Sequence, residues 1–163
     1  MVKENELKWE SVESYLKLIG MEADVDIRRT KELFNQVKVI CPENLKDIFV
    51  SNYKETDGKE QFKDLWLFSD NYLVEIQNFV RQEKPSLEMT IYSNNIQSVS
   101  IEADKFDLSQ KAKDISKLRI MFYTFTNFSV DQIATGPNCD ILMYIFNTYV
   151  KCNMVTGQSS FQI

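Results

Sequence analysis

The chain has 163 residues, of which 44% are hydrophobic and 12% aromatic, a composition typical of one globular domain with a substantial core. Its formal net charge is −5, so nucleic acids and anionic membrane surfaces are electrostatically unfavourable partners. The sequence contains no histidine and only four glycines, which excludes Ser-His-Asp and Cys-His catalytic arrangements and disfavours glycine-rich phosphate-binding loops.

The first part of the chain is predicted to be helical. Between Glu4 and Ile19, apolar side chains recur at spacings of three and four residues, which predicts an amphipathic helix ending at Gly20. Asp24–Val37 predicts a weaker second helix, and Pro42 stops whatever regular structure precedes it. We expect the first stripe to pack on the body of the same protein; docking on a partner is the alternative. The stripe consists of Trp9, Val12, Leu16 and Ile19, and Tyr15 and Leu18 widen it.

From Leu45 onward the hydrophobic pattern changes to the period of two that is typical of strands. Asp57-Gly58 lies inside a polar cluster and is a strong hairpin signal. Ser69-Asp70-Asn71 separates two apolar runs, Phe62–Phe68 and Tyr72–Val80, and predicts a second hairpin. We expect the rest of the chain to close around this second hairpin.

Two alternating segments follow a loop that contains Pro85. In Leu87–Tyr92, alternation places Leu87, Met89 and Ile91 on the apolar face of a strand. Ile96–Ile101 predicts the next strand, and its Gln97–Ser98 step breaks the alternation in the way a β-bulge would.

The remaining segments complete the predicted sheet and close it. Asp104–Ser116 is polar and lysine-rich, and predicts a loop with a short helix over Leu108–Ile115. Lys117–Thr126 is a clear strand, and a last strand covers Phe128, Val130 and the Ile133 region before Gly136-Pro137.

The best helix of the sequence begins after this last strand. Pro137 suits the first turn, and Asn138 suits the N-terminal cap. Asn153–Ile163 is a polar tail that we expect to be loosely held. The broad apolar stripe of the helix consists of Ile141, Leu142, Ile145, Phe146 and Tyr149.

These elements predict an α+β fold. About seven short strands joined as hairpins would have open edges, and bending the sheet into a partly open barrel plugged by the last helix removes them. The predicted organisation is a helical extension at 1–43, an antiparallel β-barrel with its C-terminal helix at 44–152, and a flexible tail at 153–163. The boundary between the first two parts falls near Cys41–Asn44.

Two stretches carry a family resemblance. Asn44–Ile76 resembles the opening of the bacterial pleckstrin-homology-like (PH-like) families, and Phe68-Ser69-Asp70-Asn71-Tyr72-Leu73 looks like their L-T-D-x-R-L step, with Tyr72 where a basic residue is usual. Lys117–Val150 resembles their final two strands and closing helix. The resemblance covers roughly the last two-thirds of the chain. It implies a PH-like barrel that serves as a binding or scaffolding domain without a cofactor.

Cysteine usage and the N-terminus favour a cytoplasmic protein. Cys41, Cys139 and Cys152 are an odd number without a Cys-x-x-Cys spacing, which predicts reduced and mostly buried thiols. The first residues contain no apolar signal core, and no apolar run is long enough to span a bilayer. No zinc-ligand spacing is present either, so no metal site is predicted.

The leading functional hypothesis is a non-catalytic protein-interaction module. A PH-like barrel can accept a peptide strand beside its closing helix, where backbone hydrogen bonds provide affinity. Alternatively, the N-terminal helices pair with a second copy of the chain. Trp9 is then the residue to watch, because tryptophan often anchors interfaces, although it is equally suited to a core.

Two other functions stay open at this stage. Lys54, Lys59 and Lys63 lie near the first hairpin, where PH domains hold phosphoinositides, but carboxylates interleave with them and make the local charge slightly acidic. Weak anionic-lipid binding is therefore the alternative. A small-molecule or carboxylate-dependent enzyme ranks third, since pairs such as Asp24/Asp26 and Glu102/Asp104 are usually solvated. The interleaved carboxylates are Glu55, Asp57, Glu60 and Asp64.

Overall fold

The structure is a computed structural model, and it describes residues 6–41, 44–81, 88–93, 95–104, 115–124 and 129–154. Three α-helices are present in these ranges, and the last continues into a π-helical turn, Phe146–Val150, and a 3-10 turn, Lys151–Asn153. A further 3-10 turn covers Phe79–Arg81. The helices are α1 (Trp9–Leu18), α2 (Asp24–Ile40) and α3 (Asn138–Ile145).

Within the described ranges, seven strands form two antiparallel sheets. Sheet A has the order β1-β2-β3-β4, and sheet B has the order β5-β6-β7. The prediction of an α+β fold with antiparallel hairpins is therefore confirmed, whereas the described strands do not close into one hydrogen-bonded barrel. The strands are β1 (Asp47–Lys54), β2 (Glu60–Phe68), β3 (Tyr72–Gln77), β4 (Thr90–Ser93), β5 (Ile96–Ala103), β6 (Lys117–Thr124) and β7 (Ser129–Thr135).

Both predicted hairpins are present. The β2–β3 turn is closed by the Ser69 N–H, which donates to the Tyr72 carbonyl at 3.1 Å, while the Ser69 hydroxyl accepts the N–H groups of Asn71 and Tyr72. The β1–β2 turn contains Gly58 at φ 82, a left-handed angle that glycine adopts without steric cost. Its register pairs Lys54 with Glu60.

The helices α1 and α2 cover the outer face of sheet A. Val12 and Leu16 of α1, and Phe34 and Val37 of α2, belong to one buried cluster with the outward-facing residues of the sheet. The apolar stripe of α1 therefore packs on the protein's own sheet. Those sheet residues are Ile48, Val50, Leu65, Leu67, Val74 and Ile76.

The inner face of sheet A packs on sheet B and α3. A second buried cluster joins Phe49, Trp66 and Phe68 of sheet A to the inward residues of sheet B and to the stripe of α3. Sheet A is thus covered on both faces, which explains why the second half of β2, Leu65–Phe68, is continuously apolar instead of alternating. The α3 residues in this cluster are Cys139, Leu142, Ile145, Tyr149 and Val150, the last two in its π-helical continuation.

Some predicted boundaries are wrong. The helix predicted from Glu4 begins at Trp9, and α2 extends to Ile40. The strand predicted to reach Val80 ends at Gln77, because Asn78 takes a positive φ of 50° and turns the chain.

The fourth strand has apolar side chains on both faces. Tyr92 lies opposite Leu73 and packs on the inner core, whereas Ile91 lies opposite Val74 and is 51% exposed. Met89 packs against the cluster under α1 and α2, as the predicted apolar face requires, and Ile91 lies on that same face beyond the cover of the helices. The bulge predicted at Gln97–Ser98 is confirmed by the register shift between Ile96 and Ser98.

Several predictions lie outside the described residues. They are the short helix over Leu108–Ile115, apart from Ile115 itself, the position of Leu87, the last two residues of the strand Lys117–Thr126, and the tail beyond Met154.

Candidate functional site

A network of buried polar side chains joins α1, β1, β7 and α3 where the two sheets meet. The Asn138 amide donates to the Val50 carbonyl (2.7 Å) and to Oδ1 of Asn52 (2.8 Å), and it accepts from the Tyr15 hydroxyl (2.7 Å). The Val50 N–H donates to the same hydroxyl at 2.9 Å. Oδ1 of Asn52 also accepts the N–H of Thr135 at 3.0 Å. Side chains thus satisfy backbone groups at the edge of β1 where no further strand pairs with it.

The role predicted for Asn138 is wrong. Pro137 occupies the capping position of α3 without a side-chain hydrogen bond, and Asn138 is the first helical residue. Its amide is fully buried and turned towards β1. The physical reason is that an edge strand leaves both a donor and an acceptor unpaired, and a carboxamide satisfies either kind.

An open groove lies between the edge strand β5 and α3. Its volume is about 870 Å³. Ile101 is 48% exposed there, although its position in β5 is on the same face as the core residues Val99 and Ala103. The other apolar residues of the lining are Ala103, Ile115, Leu118, Ile133 and Met143. The groove thus offers an apolar surface beside β5, which has one neighbouring strand, β6, among the described strands of its sheet.

The charges at the rim of this groove are largely paired within the protein. The Arg119 guanidinium donates to both carboxylate oxygens of Asp131, at 2.9 and 2.8 Å, and lies 3.5 Å from Glu102. The Asp104 carboxylate accepts the N–H groups of Ser116 and Lys117. A ligand of this groove would therefore be recognised by apolar contacts and backbone groups more than by charge.

A second cavity, of about 650 Å³, lies between the start of β1 and the end of α3. There the Asp47 carboxylate accepts the Tyr144 hydroxyl at 3.1 Å and also the Tyr149 hydroxyl. Burial and this carboxylate raise the pKa of both phenols, so they stay protonated as donors. Lys46 pairs with Asp70 at 2.8 Å on the same rim. These partners anchor α3 to the start of β1.

Two buried carboxylates lie on neighbouring strands of sheet A. Burial raises the pKa of Asp64 and of Glu75. Asp64 accepts the Asn78 N–H at 3.1 Å, which supports the left-handed turn after β3. Glu75 accepts the Tyr92 hydroxyl at 3.0 Å and the Gln77 amide at 3.3 Å. Both carboxylates therefore have a structural explanation, although shifted carboxylates are also typical of catalytic sites.

The three lysines that are candidates for holding a lipid headgroup lie close to carboxylates of the protein itself. The Lys54 ammonium lies 3.9 Å from Glu60, its cross-strand partner in the first hairpin. The charge of Lys63 lowers the pKa of Asp64 and Glu75, against the larger effect of burial. Lys59 is exposed at the hairpin turn.

The cysteines differ in their exposure to solvent. Cys41 and Cys139 are buried free thiols, and Cys152 is exposed. Burial, with the charges of Asp104 and Asp140, raises the pKa of Cys139 to about 11. The described residues include no group of three or more Cys, Asp or Glu side chains placed to hold a metal ion.

Among the described helices, none combines the length and apolarity needed to cross a membrane.

The sequence contained weak signals for the parts of these sites that were not predicted. Glu75 interrupts the apolar run Leu73–Ile76, and an acidic residue in a strand covered on both faces implies a buried hydrogen-bond partner. Asn52 falls in the period-two pattern two residues after Val50, where a polar side chain is unexpected. Nothing in the sequence pairs Asn52 with Asn138, because their contact depends on how β7 returns to β1.

Comparison with protein-family models, with curated proteins and with solved structures found no match.

Proposed function

We propose that this protein is a non-catalytic interaction module of PH-like architecture that binds an extended peptide along β5. The architecture is supported by the division into four and three antiparallel strands and by the helix that follows the last strand. The observation that carries the function is the groove beside β5, where an edge strand lies next to the half-exposed Ile101.

The chemistry of this groove suits a peptide strand. A peptide added to an edge obtains affinity from backbone hydrogen bonds and specificity from every second side chain. The apolar lining of Ile101, Leu118 and Met143 would take one large apolar side chain. Since Arg119 is already paired with Asp131, we expect weak dependence on salt.

The experiment is a selection of random peptides on the full-length chain, followed by affinity measurements with two variants. Ile101→Asp puts a charge into the groove, and we expect it to weaken selected peptides about tenfold or more. Ile91→Asp is the matched control, because Ile91 is also half exposed on an edge strand but belongs to the other sheet. Equal affinities for both variants and the parent would refute the proposal.

Anionic-lipid binding stays the alternative, now with less support. The Lys54 ammonium lies 3.9 Å from the Glu60 carboxylate, so the protein itself supplies an anion to this lysine. Flotation with liposomes that contain phosphoinositide tests it. We expect no difference between the parent and a variant with alanine at Lys54, Lys59 and Lys63; salt-sensitive binding that this variant loses would reverse the ranking.

A further inference from the structure

The register of sheet B determines which backbone groups of β5 point away from β6. The Asp104 N–H donates to the Lys117 carbonyl at 3.1 Å, so these two residues continue the ladder as a hydrogen-bonded pair. In an antiparallel ladder such pairs alternate with pairs that share no hydrogen bond, and Ile101 falls in the second class. The N–H and carbonyl groups of Val99, Ile101 and Ala103 therefore point away from β6.

These backbone groups belong to the residues whose side chains line the groove side of β5. In the described part of the chain, one pairing lies on that side of the strand, the bridge between Ile96 and Met154 at its start. The stretch from Val99 to Ala103 lies beyond this bridge. Since residues directly opposite each other in an antiparallel pair project on the same face, a peptide residue opposite Ile101 would point into the groove.

The outer face of β5 carries an excess of negative charge beside the groove. Glu102 lies opposite Arg119, and its side chain is 68% exposed. The Arg119 guanidinium directs two hydrogen bonds, of 2.9 and 2.8 Å, to Asp131, and its contact with Glu102 is longer, at 3.5 Å. One cation thus serves two carboxylates, and a second cation on the other side of Glu102 would complete an alternation of charge across the strands.

We propose that the peptide bound at β5 pairs antiparallel to this strand, with an apolar residue opposite Ile101 and a lysine or arginine opposite Glu102. This inference rests on the function proposed above and deepens it, because it makes the partner a basic strand of alternating pattern. The antiparallel direction continues both pairings of sheet B. In this direction, the basic residue directly precedes the apolar residue in the peptide. The net charge of −5 also favours a basic partner.

The experiment compares two forms of one peptide on the full-length chain. A peptide selected on the parent is synthesised with lysine or with glutamate directly before the apolar residue that fills the groove, which alanine substitution identifies. We expect the lysine form to bind the parent about fivefold more tightly, because opposite charges across a strand pair attract and like charges repel. A single exposed pair of this kind keeps the dependence on salt weak.

Two variants with the same change of net charge locate the effect. Glu102→Gln should reduce the affinity ratio of the lysine and glutamate forms to about twofold or less. Glu22→Gln is the matched control, since Glu22 is an exposed glutamate between α1 and α2, and it should leave the ratio at about fivefold. The same ratio in Glu102→Gln as in the parent would overturn the inference.

Hydrogen exchange of the β5 amides tests the register without using charge. The bound peptide should slow exchange at Val99, Ile101 and Ala103 about tenfold. Exchange at Ser100 and Glu102 should stay unchanged, because their N–H groups already point to β6. Equal protection of the two sets of amides would also overturn the inference.

The variant Ile101→Asp separates this inference from the proposed function. If it weakens the selected peptides while Glu102→Gln leaves the affinity ratio unchanged, the groove binds peptides and the preference for a basic residue is refuted. If the selected peptides bind Ile101→Asp as tightly as the parent, the proposed function fails, and the pairing proposed here fails with it.

Discussion

Replacing Asn138 by alanine tests whether the buried network at the corner of the two sheets stabilises the fold. The substitution removes the donor to the Val50 carbonyl and the acceptor of the Tyr15 hydroxyl. Each buried group left without a partner costs about 1–3 kcal/mol. Two compensations limit the loss: Asn52 keeps the Thr135 N–H, and the Tyr15 hydroxyl lies 3.5 Å from the Val50 carbonyl and can turn towards it. We therefore expect a loss of about 2–4 kcal/mol.

Urea unfolding with linear extrapolation measures this loss. Asn147→Ala is the matched control, since Asn147 is an exposed asparagine in the continuation of α3 and should change stability by less than about 0.5 kcal/mol. Combining Asn138→Ala with Tyr15→Phe should reveal a coupling of about 0.5–3 kcal/mol. A loss for Asn138→Ala no larger than that of the control, or strict additivity with Tyr15→Phe, would refute the role assigned to the network.

Three further predictions concern packing, titration and thiol access. Leu16→Ala should lower the unfolding free energy, measured by urea unfolding, by about 2–5 kcal/mol. The control is Leu18→Ala on the same helix, where the residue is 57% exposed and the loss should be less than about 0.5 kcal/mol. Equal losses for the two variants would contradict the packing of α1 on sheet A. Burial raises the pKa of Glu75, so the folded protein loses stability as the pH rises from the ordinary carboxyl pKa to the raised pKa, and the loss is complete above the raised pKa. Glu75→Gln should therefore raise the unfolding free energy at neutral pH, and urea unfolding at several pH values should show this gain shrinking as the pH falls towards the ordinary carboxyl pKa. A thiol reagent should modify Cys152 alone in the native protein and all three cysteines in denaturant; rapid native reaction of the two buried thiols would contradict their burial.

The elements that the sequence predicted well are those whose signal is local. The turn Ser69-Asp70-Asn71 forms where it is predicted because the Ser69 hydroxyl accepts the N–H groups that the turn leaves open. The stripe of α1 is likewise a property of one helix. In both cases, the residues that determine the structure lie within a few positions of one another, so the pattern within a short segment predicts them.

The elements that were predicted wrongly depend on partners far away in sequence. Alternation places Ile91 on the face of Met89, which packs against the cluster under α1 and α2, but it does not show that the opposite face is covered too. On that face, Trp66 stacks on the Tyr92 ring at 6.0 Å and Glu75 accepts the Tyr92 hydroxyl. Asn138 has the residue type of a helix cap, but the edge of β1, 88 residues earlier, determines where its amide points. The alternation pattern is symmetric, so it identifies two faces without saying which one is covered.

The apolar stripes of α1 and α3 are both buried within the protein, and the β5 groove is not. The stripe of α1 is buried on sheet A, and Trp9 packs against Phe34 at 6.3 Å between ring centroids, so the helix that the sequence offered as a partner-docking element has its apolar face occupied. The stripe of α3 is occupied in the same way by sheet B and the inner face of sheet A. Ile101 differs, because its strand position directs it to the interior while α3 leaves it half exposed. An apolar group of a ligand would bury Ile101 further, and that burial would favour binding at this place. This is why the β5 groove, rather than either helix, carries the proposed peptide site.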